Sequence, residues 1–342
     1  MEPGEFIIRA DDPILVTGAT GFMGPALVGS LLRHGFRNVR AFARPSSSVA
    51  RLNAVANGAR IEVVRGNLLS PDDCRMAVQE ASVIFHLATG SDKSFPDAYM
   101  NSVVTTRNLI EASRHQSSLR RFVNISSFAV YTNAENKRLD EESSVGEAGG
   151  DAYTFAKVKQ DELVAAYGRR FEVPYVIVRP GSVFGPGKEA ITGRVGIDTF
   201  GVFMHLGGSN RIPLTYIDNC SDAIVLAGMT PGVEGEVFNI VDDDLPSSRQ
   251  FLRQYKRNVK RFRSIYIPRP VSYVMCQLWE KYSNRSKGQL PPVFNRRRWN
   301  SEWKKTHYSN EKLKAKLGWT PKVSMQEGLS RYFAGCREER RA

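Results

Sequence analysis

One stretch near the start restricts the fold more than any other: Ile14-Leu15-Val16-Thr17-Gly18-Ala19-Thr20-Gly21-Phe22-Met23-Gly24. An apolar, β-branched run meets three glycines at three-residue spacing, just before the helix-forming stretch Ala26-Leu27-Val28-Gly29-Ser30-Leu31-Leu32. That is how a strand turns into a helix beneath a dinucleotide pyrophosphate. Gly18 permits the tight turn, Gly21 lets the backbone approach phosphate, and Gly24 lets the new helix lie close to the sheet, its N–H groups facing the anion. Thr20, Phe22 and Met23 stand between the glycines and join them as candidate cofactor contacts. A glycine-rich turn without a ligand has the same appearance, so residues further along must supply the chemistry.

Apolar runs recur at 14–16, 39–43, 61–64, 83–87, 122–125 and 175–178, with helix-like segments between them. This alternation predicts βαβ units and an α/β fold: a Rossmann-type, doubly wound parallel sheet with ligands at the C-terminal ends of its strands. Beyond Arg179 the rhythm breaks. Residues 215–217 and 237–241 are each suited to returning a strand to the sheet, and from Asp242 the chain is basic, aromatic and interrupted by proline. The expected division is a dinucleotide-binding domain of residues 1–181 plus 215–241, a smaller, mostly helical C-terminal substrate-binding domain of 182–214 plus 242–330, and a frayed tail at 331–342.

With 342 residues, 42% of them hydrophobic, the chain can bury a sizeable core. No apolar run reaches the ~18 residues a membrane-spanning helix needs. Residues 1–5 are acidic rather than basic like a secretory signal, so a cytoplasmic protein is expected, at most peripheral to a membrane. Cys74, Cys220, Cys276 and Cys336 form no CxxC pair and the histidines show no HExxH spacing; neither a disulfide nor a metal is expected. The net charge of +13 is uneven: residues 249–305 hold 16 Lys or Arg against Glu280 and Glu302, which puts +14 there and −1 on the remainder. Such a segment suits a phosphate-bearing substrate, an anionic membrane or nucleic acid, and equally a basic face that is simply solvated. No helix-turn-helix, zinc-finger or RNA-binding signature accompanies the charge, so nucleic acid is not an expected partner.

Chemistry enters at Asp151-Ala152-Tyr153-Thr154-Phe155-Ala156-Lys157, where Tyr153 and Lys157 stand four apart and so share a helix face. A nearby ammonium favours a phenolate, and Lys157 is expected to lower the pKa of Tyr153 towards the range useful for proton exchange with a hydroxyl or carbonyl. A second YxxxK, Tyr308 to Lys312, lies after the sheet ends and reads as an ordinary helical surface pair. Tyr153 differs in following the strand-end sequence Phe122-Val123-Asn124-Ile125-Ser126-Ser127-Phe128-Ala129-Val130-Tyr131.

TGxxGxxG, a strand ending in SSxxVY and then YxxxK together resemble the extended short-chain dehydrogenase/reductase family, and Leu214-Thr215-Tyr216-Ile217-Asp218-Asn219 with the proline-bounded aromatic segment Pro268 to Tyr282 resembles its 3β-hydroxysteroid dehydrogenase-like branch. Further stretches take part. Leu87, Ala88 and Thr89 resemble the strand end over the nicotinamide ribose, Asn101 the family's helical asparagine, and Arg179-Pro180-Gly181-Ser182-Val183-Phe184-Gly185-Pro186 its RPxxVxGP turn. Leu317-Gly318-Trp319-Thr320-Pro321 is similar to the family's LGWxP ending. The resemblance implies Tyr153 as general acid/base, Lys157 on the nicotinamide ribose, and Ser127 bonded to the reacting oxygen. Ser126, the neighbouring alternative, is then placed with Pro180 and Val183 on the cofactor side. A homodimer is the implied assembly.

At the end of the second strand Ala43 occupies the place where a carboxylate would bind the ribose of NAD, followed by Arg44 and by three serines that include Ser47. This composition suits a 2′-phosphate, so NADP is favoured over NAD. Asn67, beside Leu68, replaces the family's aspartate near adenine. Phe128-Ala129 replaces the acid pair of the 4,6-dehydratases, so water elimination is not expected. Ser182 replaces the asparagine that epimerases use on a diphosphate, although a serine still donates one hydrogen bond. Lys188, Arg194 and Arg211 are candidate substrate contacts for a nucleotide diphosphate. Val271, Val274, Met275, Leu278 and Trp279 form an apolar helical stripe that suits a bilayer, a hydrophobic substrate or the chain's own core. The expected function is hydride transfer at a secondary hydroxyl, of a nucleotide sugar slightly ahead of a sterol-like alcohol. A non-catalytic NAD(P)-sensing protein is the alternative from another class.

Overall fold

The computed structural model describes residues 6–56, 59, 61–90, 94–131, 138–146, 151–188, 191–199, 201–286 and 294–339. The expectations for residues 1–5 and 340–342, and residues 287–293 of the basic segment, lie outside them.

Seven strands form one parallel sheet: β1 (Ile14–Thr17), β2 (Val39–Ala43), β3 (Ile61–Arg65), β4 (Val83–His86), β5 (Arg121–Ile125), β6 (Tyr175–Pro180) and β7 (Val237–Ile240). Their order is β7-β6-β5-β4-β1-β2-β3. The chain winds outward from β1 through β3, then returns to the other side of β1 with β4, so the topological switch lies between β1 and β4. A crevice opens there beyond the strands' carboxyl ends. β1, β4 and β5 are buried at every residue, as near-continuous apolar strands covered on both faces must be. Edge strand β3 is half-exposed. Gly24–Arg33 and Ile217–Met229 contribute to the apolar core on one face; Pro71–Val78, Thr105–Ser113 and Ala152–Phe171 contribute to the other.

Several expectations need correction. Leu214–Tyr216 does form a strand, but it pairs with Ser182–Phe184 rather than with the large sheet. The two segments are pressed together where a Cβ on Gly181 would stand 2.3 Å from the Pro213 carbonyl oxygen. Beside its helices, as expected, the smaller region carries a three-stranded sheet of Ser264–Tyr266, Val202–His205 and Gly196–Thr199, next to a separate apolar cluster around Leu206, Cys276, Phe294 and Trp303.

Residues 331–338 are not frayed. They belong to the helix Met325–Glu338, capped by Ser324 and burying Tyr332, Phe333 and Cys336. Leu313, Leu317 and Trp319 also join the cluster that holds β1 residues Ile14 and Val16. The Trp319 indole donates to the Asn219 carbonyl at 3.1 Å, which explains why an LGWxP-type ending belongs to the sheet side. Tyr308 and Lys312 are not a helical pair. Tyr308 lies in the strand His307–Tyr308, stacked on Phe128, while Lys312 binds Glu236 at 2.7 Å. All four cysteines are buried free thiols. Among the described residues, no helix is long and apolar enough to cross a membrane.

Candidate active site

The carboxyl ends of the strands open into a cleft of about 920 Å³. Its floor is the glycine turn. Gly18 holds φ +67°, and a Cβ there would stand 2.8 Å from the Ala88 nitrogen, so the turn demands glycine. A Cβ on Gly24 would meet the Ala19 carbonyl oxygen at 2.2 Å, so the helix can begin this close to the turn only without a side chain. The helix Gly24–Arg33 starts at Met23 with no side-chain cap and no acid in its first turn. Its first N–H groups therefore remain available to an anion. Gly18, Gly21, Gly24, Thr20, Phe22 and Met23 all line the cleft, and this cradle fits the pyrophosphate of a dinucleotide.

At one end lie Ala43, Arg44, Ser47, Asn67 and Leu68. Arg65, which the sequence did not single out, holds this end together: its guanidinium donates to the carbonyls of Arg44 at 2.9 Å and Ser47 at 2.6 Å. The Asn67 side chain accepts from the Leu69 amide at 3.0 Å and shapes its own turn. Leu87, Ala88, Thr89 and Asn101 line the middle, Asn101 within the wide π-helical turn Tyr99–Val104, a feature frequent at functional sites. His86 is buried behind them, its ring bonded to the hydroxyls of Thr17 and Thr106 at 2.8 Å each. Burial pushes it down to about 3, with the Lys157 charge acting in the same direction, so His86 is a neutral structural bridge.

Ser126, Ser127, Tyr153 and Lys157 meet on the cleft wall. The two serines have different tasks. Ser126 is buried and donates to Asp161 at 2.9 Å, whereas Ser127 accepts from the Ala129 amide at 3.2 Å and lines the cleft with Tyr153. Tyr153 stands in the first turn of Ala152–Phe171, capped by Asp151, which accepts from the Thr154 amide at 3.0 Å. Burial raises the Tyr153 pKa, and the neighbouring Ser127 hydroxyl works against that rise. The expected lowering by Lys157 is thus not what the structure displays. The ammonium points instead to the Ile125 carbonyl at 2.8 Å, and burial pulls it down to about 8, opposed by Asp161.

Asp161 itself was not foreseen. It follows Lys157 by four residues on the same helix face and accepts from Asn124 at 3.0 Å, Ser126 at 2.9 Å and Arg179 at 3.1 Å. Arg179 continues to the Tyr131 hydroxyl at 3.0 Å, which donates to Asn239 at 2.7 Å. A buried polar network therefore underlies the Tyr153–Lys157 face.

Beyond Pro180, Ser182 and Val183 the cleft continues past Lys188. The Lys188 ammonium donates to the Val183 carbonyl at 2.9 Å and lies 5.3 Å from the Phe22 ring centroid, and burial lowers its pKa. Arg194 and Arg211 do not join it. Arg194 is tied to the Ser301 carbonyl at 2.7 Å and the Tyr308 hydroxyl at 3.2 Å, and Arg211 to the Leu245 carbonyl. The wall instead includes Ile191, Leu214, Phe251 and Tyr332, drawn from four separate segments with no local signal to unite them.

Residues 14–240 match the model of the NAD dependent epimerase/dehydratase family. The chain is 28% identical over 341 residues to the 2-alkyl-3-oxoalkanoate reductase of Stenotrophomonas maltophilia, covering 94% of this chain and 98% of that one. It is 27% identical over 351 residues to the decarboxylating sterol-4-alpha-carboxylate 3-dehydrogenase of Saccharomyces cerevisiae, covering 94% and 97%. The fold is similar to that of UDP-glucuronic acid 4-epimerase from Bacillus cereus, solved with NAD: TM-score 0.72, 21% identity, 96% and 99% coverage.

Proposed function

The chain belongs to the NAD dependent epimerase/dehydratase family, and from that premise we propose that it transfers hydride at a secondary hydroxyl or the corresponding ketone, with Tyr153 as proton donor and acceptor. The observation that carries this reading is the convergence of Ser127, Tyr153 and Lys157 on the wall of a cleft whose floor is an uncapped helix start. Bound in the cleft, the nicotinamide dinucleotide supplies the hydride donor or acceptor. The residues to hold it are the 18–24 turn at its phosphates, Arg44 and Ser47 at the adenine-side ribose, and Asn101 and Lys157 on the nicotinamide side. Ala43 in the place of an acid, followed by Arg44, supports NADP over NAD.

Tyr153 exchanges a proton with the substrate oxygen while Ser127 holds that oxygen in place. Because burial raises the Tyr153 pKa, its resting form is the neutral phenol, which suits delivery of a proton to a carbonyl. Phe128, buried against Tyr308, and Ala129 put no carboxylate after Ser127, which supports hydride transfer without water elimination.

For the substrate, the wall of Ile191, Leu214, Phe251 and Tyr332 supports a lipophilic alcohol or ketone, in keeping with the names of the two curated relatives. A nucleotide sugar is the second reading, favoured by Lys188 beside the glycine turn and by the fold shared with a UDP-sugar epimerase.

The test is to denature the purified protein, identify any released nucleotide by mass, and titrate the emptied protein with NADP and NAD. An empty protein that binds NADP reversibly, and more tightly than NAD, agrees with an exchangeable-cofactor dehydrogenase or reductase. Near-stoichiometric retained dinucleotide shifts the reading to a self-recycling epimerase. Binding of neither contradicts the function.

A further inference from the structure

The helix Arg269–Arg285 is turned opposite to the usual helix of a folded domain. Its buried residues are Ser272, Cys276 and Ser283, while Val271, Val274, Leu278 and Tyr282 are 50%, 51%, 62% and 61% exposed. At roughly 100° per residue these four fall within about 80° of arc, one continuous apolar stripe. Trp279 turns inward to Phe294, with ring centroids 6.0 Å apart, so the helix is already anchored by another face. Lys281 and Arg285 are exposed on the stripe's own side. Glu280, the only acid of the helix, projects from the opposite side and is held by Arg296 at 3.0 Å. The strand leading into the helix adds Ile265, 57% exposed, preceded by exposed Arg261 and Arg263.

Aliphatic stripe and positive charge coincide within the 249–305 segment, which carries +14 while the rest of the chain carries −1. A second copy laid on this face would bring two such segments together, and their repulsion opposes the contact. Nucleic acid would match the charge and leave the valines and leucine in water. An interface of anionic lipid satisfies both properties at once, with apolar side chains at the acyl boundary and lysine and arginine among the headgroups. The geometry points to this face as a docking surface for an anionic bilayer, with the helix lying in the membrane plane. The assignment is independent of the substrate.

The experiment is flotation of the full chain with vesicles of phosphatidylcholine alone or doped with phosphatidylserine, comparing V274S/L278S and K281E/R285E with the parent chain. The expected result is binding to phosphatidylserine vesicles, none to phosphatidylcholine alone, weakening with salt, and a loss of roughly tenfold or more in each double variant. NADP affinity equal to that of the parent chain checks that each variant is folded. No binding to phosphatidylserine vesicles overturns the proposal, as does binding that neither variant weakens. A vesicle-indifferent protein whose dimerisation is lost in V274S/L278S, or whose duplex DNA binding is lost in K281E/R285E, overturns it in favour of that partner.

Discussion

The glycine turn at 18–24 and the helix Arg269–Arg285 both begin from an apolar pattern, and they use it in opposite ways. Around the turn, β1 and β4 bury every residue, and the backbone leaves Gly18 and Gly24 no room for a side chain. In the Arg269–Arg285 helix the small residues Ser272, Cys276 and Ser283 face inward and the aliphatic ones face water. Periodicity locates an apolar stripe in either place. Which way the stripe faces is decided by what the helix rests against, and that is a property of the tertiary fold.

Substitutions can break this contrast, beginning with the largest expected effect. Tyr153→Phe removes the proton-transferring hydroxyl from the wall of the cleft, and turnover should fall by about 10²–10⁴ while NADP affinity stays within about twofold. A steady-state rate within tenfold of the parent would remove Tyr153 from its role. Asp161→Ala strips the buried Arg179 of its partner, and denaturant unfolding should register a loss of about 3–5 kcal/mol.

The third effect depends on pH. Burial holds His86 near 3 against an ordinary 6.5, so the unfolded chain takes up a proton that the folded chain refuses. Stability should therefore fall as pH drops from 6.5 towards 3. Asp242 opposes this: burial raises it from 3.8 to about 6, so its folded form takes up a proton first and gains stability as pH falls through that window. His86 is displaced over the wider range, and the net acid limb should be a loss. In His86→Asn that limb should flatten or reverse, as read by thermal unfolding at a series of pH values; an unchanged acid limb would show that His86 does not drive it.

The smallest effect belongs to the exposed helix face. V274S/L278S should change stability in plain buffer by no more than about 0.5 kcal/mol. A loss of several kcal/mol by the same denaturant assay would mean that the stripe is packed, and the contrast with the glycine turn would collapse.

What was legible in the sequence was local. The strands of the large sheet, the glycine turn and the Tyr153–Lys157 pair each announce themselves within a few residues, because strand burial, positive φ and helical i,i+4 spacing act at short range. Asp161 carries the same i,i+4 signal from Lys157 and was within reach. Ile191, Phe251 and Tyr332 were not, since their segments meet only after the chain has folded. Arg194 and Arg211 show the reverse error. Their charge suited a diphosphate, but backbone carbonyls at Ser301 and Leu245 claim it. Residues 215–217 were readable as a strand, observed at Leu214–Tyr216, while its partner depended on the close contact between Gly181 and Pro213.

The most direct test of the central claim is a crystal structure of the protein soaked or co-crystallised with NADP. The account predicts phosphates on the 18–24 turn, the 2′-phosphate beside Arg44, and the nicotinamide facing Ser127 and Tyr153, with room for a substrate carbon at about 3–3.5 Å from the ring. A dinucleotide bound on another surface, or one whose nicotinamide lies away from the Tyr153 hydroxyl, would contradict it.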